Sequence, residues 1–363
     1  MRFLVLRFGK MGDVALLAPV LHALARKYSA ISITLVTRKA FEPFFYNIPG
    51  VEVIGVDFDH EYRGIYGLYR LYRQLRKLGP YTHGVDLQST YRSRILGFLF
   101  WLLTSLRFAR IVKGQREKRL HIRRRNKILE PLPHMVERYM HVFERAGISA
   151  MPDQGPWINP DTGSRALAKD FLLANDIKNK KRQPWIGIAP FASYQQKTWP
   201  VVHTHELLSL IQRNLDAKVF LFGGGPDEIQ KLGALHRKFE NTVLVAGNLS
   251  LDGEIALLLR MDVMIAMDGF NMHLAALLGK RVLSIWGATH PYSGFGPYGA
   301  DPDTVIQIAP DDLDCRPCSI TGSRPCFRGD LACLNWITAR NVFEKLKYEL
   351  LAPEDLDTLP QTD

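Results

Sequence analysis

Apolar positions along the chain change period in a regular way. Residues 3–8 (FLVLRF) form a short apolar run that ends at Gly9. Residues 14–28 then carry apolar side chains at helical spacing, with Asp13 at the position of an N-cap. Residues 31–37 (ISITLVT) are β-branched and read as a buried strand. Strand, helix, strand is the opening of a parallel α/β sheet. The pattern predicts strands over 51–56 and 83–87 and helices over 64–78 and 134–146, the last closed by Gly147. Residues 149–163, rich in Pro, Gly, Asp and Ser, read as a linker. Beyond it the rhythm restarts, with helices over 164–175, 203–215, 227–239, 251–260 and 271–278. Strands are predicted over 185–190, 218–222, 242–245, 262–266 and 281–286. A final helix over 336–351 leads into a loose acidic tail from Pro353 to Asp363. The expected class is α/β, as two similar doubly wound domains over 1–155 and 156–340, with 341–363 as a helix end and tail. Ligands of such sheets bind at strand ends, so a cleft between the halves is the expected site.

Composition narrows the function. With 363 residues, 47% hydrophobic and 23% charged, the chain has ample material for a core and is not a disordered protein. The longest apolar run, Ile95–Leu106, is too short to cross a bilayer. Met1–Leu6 is cut at once by Arg7 and Lys10 with no small-residue cleavage site, so a cytoplasmic protein is expected. Of the net charge of +11, ten Lys/Arg against the single acid Glu117 fall between Arg107 and Lys127. That block points to a polyanionic partner. Together with the apolar run beside Arg92 and Arg94, it supports two readings: a core helix followed by a solvated basic loop, or a segment lying on a membrane surface. Nucleic acid is not expected, because the block lacks interleaved aromatics and a recognition motif.

Five segments can carry chemistry. Arg7-Phe8-Gly9-Lys10-Met11-Gly12-Asp13 joins the first strand to the first helix. Its glycines let a ligand approach the backbone, and Asp13 is either a simple N-cap or a proton acceptor at a strand edge. The segment is not the G-x-G-x-x-G dinucleotide fingerprint, and no acid ends the second strand, which disfavours a dehydrogenase. Gln196-Lys197-Thr198-Trp199-Pro200 places a lysine past a strand edge, where it can offset phosphate charge or merely be solvated. Phe222-Gly223-Gly224-Gly225-Pro226-Asp227-Glu228 is a tight strand-to-helix turn whose acids suit either ribose hydroxyls or a helix N-terminus. Asp268-Gly269-Phe270-Asn271-Met272-His273 can present amides to a diphosphate, and Trp286-Gly287-Ala288-Thr289-His290-Pro291 follows the next strand. Cys315, Cys318, Cys326 and Cys333 cluster as a weak candidate for a metal, with a local disulfide or free thiols as the alternatives.

As an ordered set these motifs resemble the ADP-heptose:lipopolysaccharide heptosyltransferases, glycosyltransferase family 9, over roughly 1–345. The resemblance rests on LVLRFGKMGDVALLAPVLHAL, YTHGVDLQSTYRSRIL, IGIAPFASYQQKTWP, LFGGGPDE and MDVMIAMDGFNMHLAALLGKRVLSIWGATHP. It implies a GT-B fold of two Rossmann-like domains. It implies inverting, metal-independent transfer of a heptose from ADP-heptose to a phosphorylated glycolipid acceptor, with no cofactor beyond the ADP-sugar donor. It also implies work at the inner face of the cytoplasmic membrane. Asp13 matches the general base and Lys197 the lysine near the nucleotide phosphates. Gly12, Thr198, Gly223, Glu228, Leu249, Asp268, Gly269, Phe270, Asn271 and His273 match donor-binding positions, with Glu228 near the ribose. Lys10, Arg92 and Arg94 match the acceptor side. The phosphate loop departs from the family's D-[ST]-G-x-x-H pattern: Gly269 replaces Ser/Thr, and Phe270 replaces Gly. Alternatives are a GT-B transferase or epimerase using another nucleotide sugar, or a non-catalytic nucleotide-sugar-binding protein.

Overall fold

The computed structural model describes residues 1–177 and 183–351. The predicted tail from Pro353 lies outside the described residues. In chain order the elements begin with β1 (Arg2–Leu6), α1 (Met11–Ala15), α2 (Ala18–Lys27), β2 (Ser32–Arg38) and β3 (Val51–Val56). They continue with α3 (Gly64–Leu78), β4 (His83–Asp86), α4 (Tyr91–Thr104), β5 (Phe108–Arg110), α5 (Gln115–His121) and α6 (Met135–Arg145). Then follow α7 (Thr162–Ala174), β6 (Trp185–Ala189), α8 (Val201–Asn214), β7 (Lys218–Leu221), α9 (Pro226–His236), β8 (Thr242–Leu244) and α10 (Leu251–Leu258). The chain closes with β9 (Val263–Met267), α11 (Phe270–Leu277), β10 (Arg281–Trp286), β11 (Val305–Gln307), α12 (Ala332–Asn335) and α13 (Ala339–Leu350).

The chain forms two units. The first holds Met1–Gly114 and Pro133–Asp161, and the second Gln115–Leu132 and the chain from Thr162. The first unit has a five-stranded parallel sheet ordered β3-β2-β1-β4-β5. The second has a six-stranded parallel sheet ordered β11-β10-β9-β6-β7-β8. Both start in the middle, build outward on one side, and return to build on the other. That is the doubly wound order, and it opens a crevice beyond the carboxyl ends of the two central strands. In the first unit those strands are β1 and β4, and in the second β6 and β9.

Strands buried on both faces read as continuous apolar runs. Phe3 to Leu6 of β1 and Val263 to Met267 of β9 are fully or almost fully buried. The flanking helices turn one face to these sheets. In α3, Leu68, Leu71, Tyr72 and Leu75 are buried while Arg73, Arg76 and Lys77 remain exposed. Helix starts carry their own signals. Thr90 and Ser93 form a capping box on α4, as do His134 with Glu137 on α6 and Thr338 with Asn341 on α13.

Three expectations are revised. The single helix predicted over 14–28 is two helices, broken at Leu16–Leu17, because Pro19 has no N–H to continue the ladder. Asp13 therefore lies inside α1 and is not an N-cap; that position belongs to Lys10. The pattern-based limits, 1–155 and 156–340, differ from the observed units because 115–132 packs on the second. There His121 is buried against Ser293 (Nδ1 to Oγ, 3.3 Å), and the Leu132 N–H donates to the Tyr292 carbonyl (2.8 Å). The basic block is divided accordingly, with Arg107, Arg110 and Lys113 in the first unit and its other seven cations in the second. Three of those seven are used internally, among them Arg124, which lies over the Phe327 ring (4.3 Å). Lys118 is buried over the Phe295 ring (4.2 Å), and Lys127 donates to the carbonyls of Asp314 (2.7 Å) and Arg316 (2.6 Å).

Candidate functional site

Each doubly wound sheet holds a polar cluster at its central strand ends. In the first unit the loop after β1 meets the loop after β4. Arg7 is buried, and its Nη2 donates to Asp13 Oδ2 at 2.8 Å. Its Nη1 donates to the Leu87 carbonyl (2.8 Å) and to Gln88 Oε1 (3.1 Å). The same amide oxygen accepts from the N–H groups of Phe8 (3.1 Å) and Gly9 (3.3 Å). Gln88 thus fixes the loop that carries Asp13. Tyr139 is fully buried beneath it and donates its hydroxyl to the Asp13 carbonyl at 2.8 Å. Burial pushes the Tyr139 phenol well up, so it remains a donor. Behind Gln88, the buried Asp86 accepts from the N–H groups of Gln88 (3.0 Å) and Ser89 (2.7 Å) and from Ser93 Oγ (3.1 Å).

The outcome is a carboxylate with one oxygen held by a buried guanidinium. The Asp13 side chain is about a quarter exposed, and Arg7 holds only Oδ2. That arrangement orients the group while leaving Oδ1 able to take a proton. Of the residues expected on the acceptor side, Lys10 is exposed next to this loop, and Arg94 reaches Ser89 Oγ at 3.5 Å. Arg92 lies over the Phe58 and Tyr91 rings, 5.1 and 5.2 Å from their centroids. Gly12 is in α1, one residue before Asp13.

In the second unit the loop after β6 meets the loop after β9. Lys197 Nζ lies 3.0 Å from Asp268 Oδ2, with the two side chains 14% and 8% exposed, a nearly desolvated ion pair. The Thr289 hydroxyl donates to the same oxygen at 2.7 Å. Gly269 is the N-cap of α11, and Phe270, Asn271 and Met272 form its first turn, followed by the buried His273. A cation and a helix N-terminus are thus brought to one strand edge, which suits an anionic ligand.

The departure at Gly269 is not forced by space. Its backbone is extended, and an added Cβ would meet only the Met267 carbonyl oxygen at 3.6 Å. Gly287 and Gly322, by contrast, are required. A Cβ on Gly287 would lie 2.6 Å from the Gln196 carbonyl oxygen, and one on Gly322 2.5 Å from Cγ and Cδ of Lys197. The cysteine-rich loop therefore packs on the stem of Lys197. Its core is Arg316, fully buried. Arg316 Nε donates to the Gly287 carbonyl (2.7 Å) and Nη2 to those of Thr289 and Gln307 Oε1 (3.0 Å each), with a further bond to the Ile308 carbonyl. Burial brings this guanidinium down to about 10.

Other expected donor residues have local partners. The Thr198 hydroxyl bonds the main chain of Ala192 and Tyr194, closing the loop that bears Lys197. Glu228 Oε2 accepts from the Gly224 N–H at 2.9 Å, holding the turn after Gly223. Leu249 packs on Gly253 of α10. The four cysteines are free thiols, and the described residues contain no group of three or more His, Cys, Asp or Glu placed to hold a metal. Burial pushes Cys315 and Cys318 up, and Cys333 up to about 12, which keeps them neutral. Arg7, Gln88, Tyr139, Thr289 and Arg316 were not singled out from the sequence. Arg7, Gln88 and Thr289 sit inside segments that were, and Arg316 lies between Cys315 and Cys318; Tyr139 is brought in by the fold alone.

Comparison with known proteins agrees with this architecture. The family model described as glycosyltransferase family 9 (heptosyltransferase) matches residues 68–319. Lipopolysaccharide heptosyltransferase 2 of Escherichia coli is 28% identical over 238 residues, 62% of this chain and 64% of that protein. The chain thus spans less than two thirds of that relative's length. The glycosyl transferase family 9 structure from Veillonella parvula superposes with a TM-score of 0.75 at 20% identity, covering 96% of this chain and 97% of that one. The Escherichia coli heptosyltransferase WaaC with ADP-2-deoxy-2-fluoro heptose superposes with a TM-score of 0.62 at 20% identity, covering 97% and 100%. The fold is the expected pair of Rossmann-like units of the GT-B class. With a family model matched over more than half of its length, the chain belongs to glycosyltransferase family 9.

Proposed function

We propose that the protein is an inverting, metal-independent glycosyltransferase that moves a heptose from ADP-heptose to a phosphorylated glycolipid acceptor of the lipopolysaccharide core, at the cytoplasmic face of the inner membrane. The observation that carries the reading is the nearly desolvated Lys197–Asp268 pair beside the α11 N-terminus. Asp268 fixes the Lys197 ammonium in place, and that ammonium together with the helix N-terminus is the kind of donor set a nucleoside diphosphate leaving group needs. The donor's identity is supported by the family and by the ADP-sugar in the WaaC structure.

Each unit supplies one part of the chemistry. Asp13 Oδ1 takes the proton of an acceptor hydroxyl as that oxygen attacks the anomeric carbon. Arg7 holds the other carboxylate oxygen and Gln88 holds the loop, so the base is oriented before substrate arrives. The bond from the anomeric carbon to the diphosphate breaks, and its electron pair leaves on ADP. Lys197 and the first amides of α11 offset the charge that develops there, while Asp268 and Thr289 position Lys197. A single displacement inverts the anomeric centre. Glu228 keeps one carboxylate oxygen beyond the Gly224 contact for the ribose. Lys10 and Arg94 face acceptor phosphates from the Asp13 edge.

The test is product analysis with the purified chain, EDTA, and ADP-, UDP- or GDP-linked sugars. Release of ADP with heptose joined to the acceptor in the inverted configuration is expected. Turnover restricted to UDP- or GDP-sugars, an epimerised sugar without transfer, or a retained configuration would each refute it.

A further inference from the structure

Helix α4 carries an outward stripe that nothing among the described residues covers. Tyr91, Phe98, Trp101, Leu102 and Leu103 are each about half exposed or more, although four of them are among the most apolar residue types. Positions 91, 94, 98, 101 and 102 recur at helical spacing, so the stripe runs about 16 Å along the helix. The opposite side of α4 is ordinary core. Leu96 and Phe100 are buried, and Phe100 meets the Tyr72 ring of α3 edge-on at 4.8 Å. A helix apolar on both sides is expected inside a protein or at a lipid boundary, and this one has only one side inside.

Charge decides what the open side meets. From Arg63 to Lys113 the sequence has ten Lys/Arg and one acid. That acid, Asp86, is buried and bonded within its own loop. Every exposed formal charge on this stretch is therefore positive, including Arg73, Arg76 and Lys77 on α3 and Arg94 within the stripe itself. A second copy of the same surface would be repelled, whereas an anionic headgroup layer complements it. Trp101 and Tyr91 are of the residue types that settle at the headgroup level.

We propose that the α3–α4 face docks on an anionic bilayer, with α4 lying in the interface plane and Phe98, Trp101 and Leu102 entering the acyl boundary. This rests on and deepens the reading of the acceptor as lipid-linked, and of the two readings open for the apolar run and its basic block it takes the membrane-surface one, with α4 as the contact. It also explains the place of the helix in the sheet. Helix α4 starts just after Gln88 and Ser89, the residues that hold the Asp13 loop and contact Arg94. Docking α4 therefore brings the candidate base to the layer from which a lipid-linked sugar emerges.

The experiment measures partition of the full chain onto vesicles of equimolar phosphatidylglycerol and phosphatidylcholine. Of the six tryptophans, only Trp101 and Trp336 are substantially exposed. A blue shift of emission on binding is expected in Trp336→Phe and not in Trp101→Phe. The triple variant Phe98→Ser, Trp101→Ser, Leu102→Ser should partition at least about tenfold more weakly, with unchanged circular dichroism and unchanged stabilisation by ADP. Unaltered partition of that variant, or a blue shift that survives in Trp101→Phe, overturns the proposal. So does a wild-type dimer that the triple variant dissolves, which would make the face a contact between copies. ADP stabilisation reads the donor site separately, so its absence in the wild type would bear on the proposed activity and not on docking.

Discussion

Replacing Asp13 by Asn tests the base most directly, because the amide keeps the shape and removes the charge. The fold should survive. Arg7 loses its bond to Asp13 Oδ2 but keeps the Leu87 carbonyl and Gln88 Oε1, and Tyr139 still donates to the residue 13 carbonyl. The lost ion pair is partly solvated at the Asp13 end, so its removal costs about 1–2 kcal/mol of stability. The chemistry should suffer more. A positioned general base contributes about a hundred- to ten-thousandfold, or about 3–5 kcal/mol of barrier. The expected result is a kcat lowered at least about a hundredfold. KM for ADP-heptose and the thermal shift with ADP should stay within about twofold, because the proposed donor contacts are in the other unit. Steady-state ADP release, with acceptor saturating, measures the first, and calorimetric titration of ADP the second. A kcat within about threefold of the parent in a folded variant refutes the role of Asp13.

Other expectations concern the second unit. Gly269→Ser should be accommodated within about 0.5 kcal/mol, because its backbone is extended and its Cβ meets only one atom at 3.6 Å. By restoring a hydroxyl at the α11 N-cap it should also tighten ADP by up to about tenfold; weaker binding would show that the loop is adapted to glycine. Gly322→Ala should raise KM for the donor about tenfold and destabilise the unit by about 1–2 kcal/mol, since φ is +78° and the methyl would strike the Lys197 stem. An unchanged ADP titration would separate Lys197 from the nucleotide. His290 gives a pH dependence. It is buried, its Nδ1 accepts from the Tyr292 N–H, and desolvation, then the nearby Arg316 charge, brings it to about 4 from an ordinary 6.5. The unfolded chain takes up this proton first, so stability is full above about pH 6.5 and falls as the pH drops toward 4. The loss is about 2 kcal/mol after allowance for screening. Urea unfolding at pH 7 and 4.5 should show a shallower acid loss in His290→Gln, and equal losses would clear His290 of the effect.

Most elements were legible wherever one period held over a whole segment. Strand β3 and helix α3 have the predicted limits, because β-branched alternation and a clean amphipathic stripe are local properties. Strands β5 and β11, three residues each, are too short to show a period. Segment 115–132 illustrates a harder limit. Its charges support either a solvated loop or a membrane-surface segment, yet its assignment to the second unit depends on Ser293, Tyr292, Asp314 and Arg316, far along the chain. The same limit applies at the candidate site. Asp13, Lys197 and Asp268 stand out because each follows a strand, whereas Gln88 and Arg316 act through long-range bonds that no local pattern announces.

The two clusters follow from one topological move made twice. In each unit the chain leaves its first strand, builds one side of the sheet, and returns beside that strand, so loops distant in sequence become neighbours. What differs is which partner is held. In the first unit a buried arginine, itself anchored by Leu87 and Gln88, steadies a carboxylate that is the more exposed of the two. In the second a buried carboxylate, anchored by Thr289, steadies a lysine that is the more exposed. In the proposed mechanism the anchored member sets geometry and the outer member faces the ligand, as a proton acceptor in one case and an anion acceptor in the other. Exchanging the outer residues alone should therefore not transfer function between units. Asp13→Lys would leave two cations, Arg7 and the new lysine, against one another, and Lys197→Asp would oppose Asp268. Like charges at that separation in a half-desolvated site cost several kcal/mol, so each variant should lose stability as well as turnover. The conservative Asp13→Asn should lose turnover with little cost to the fold. That contrast is the signature of a built-in division between anchor and reactive group.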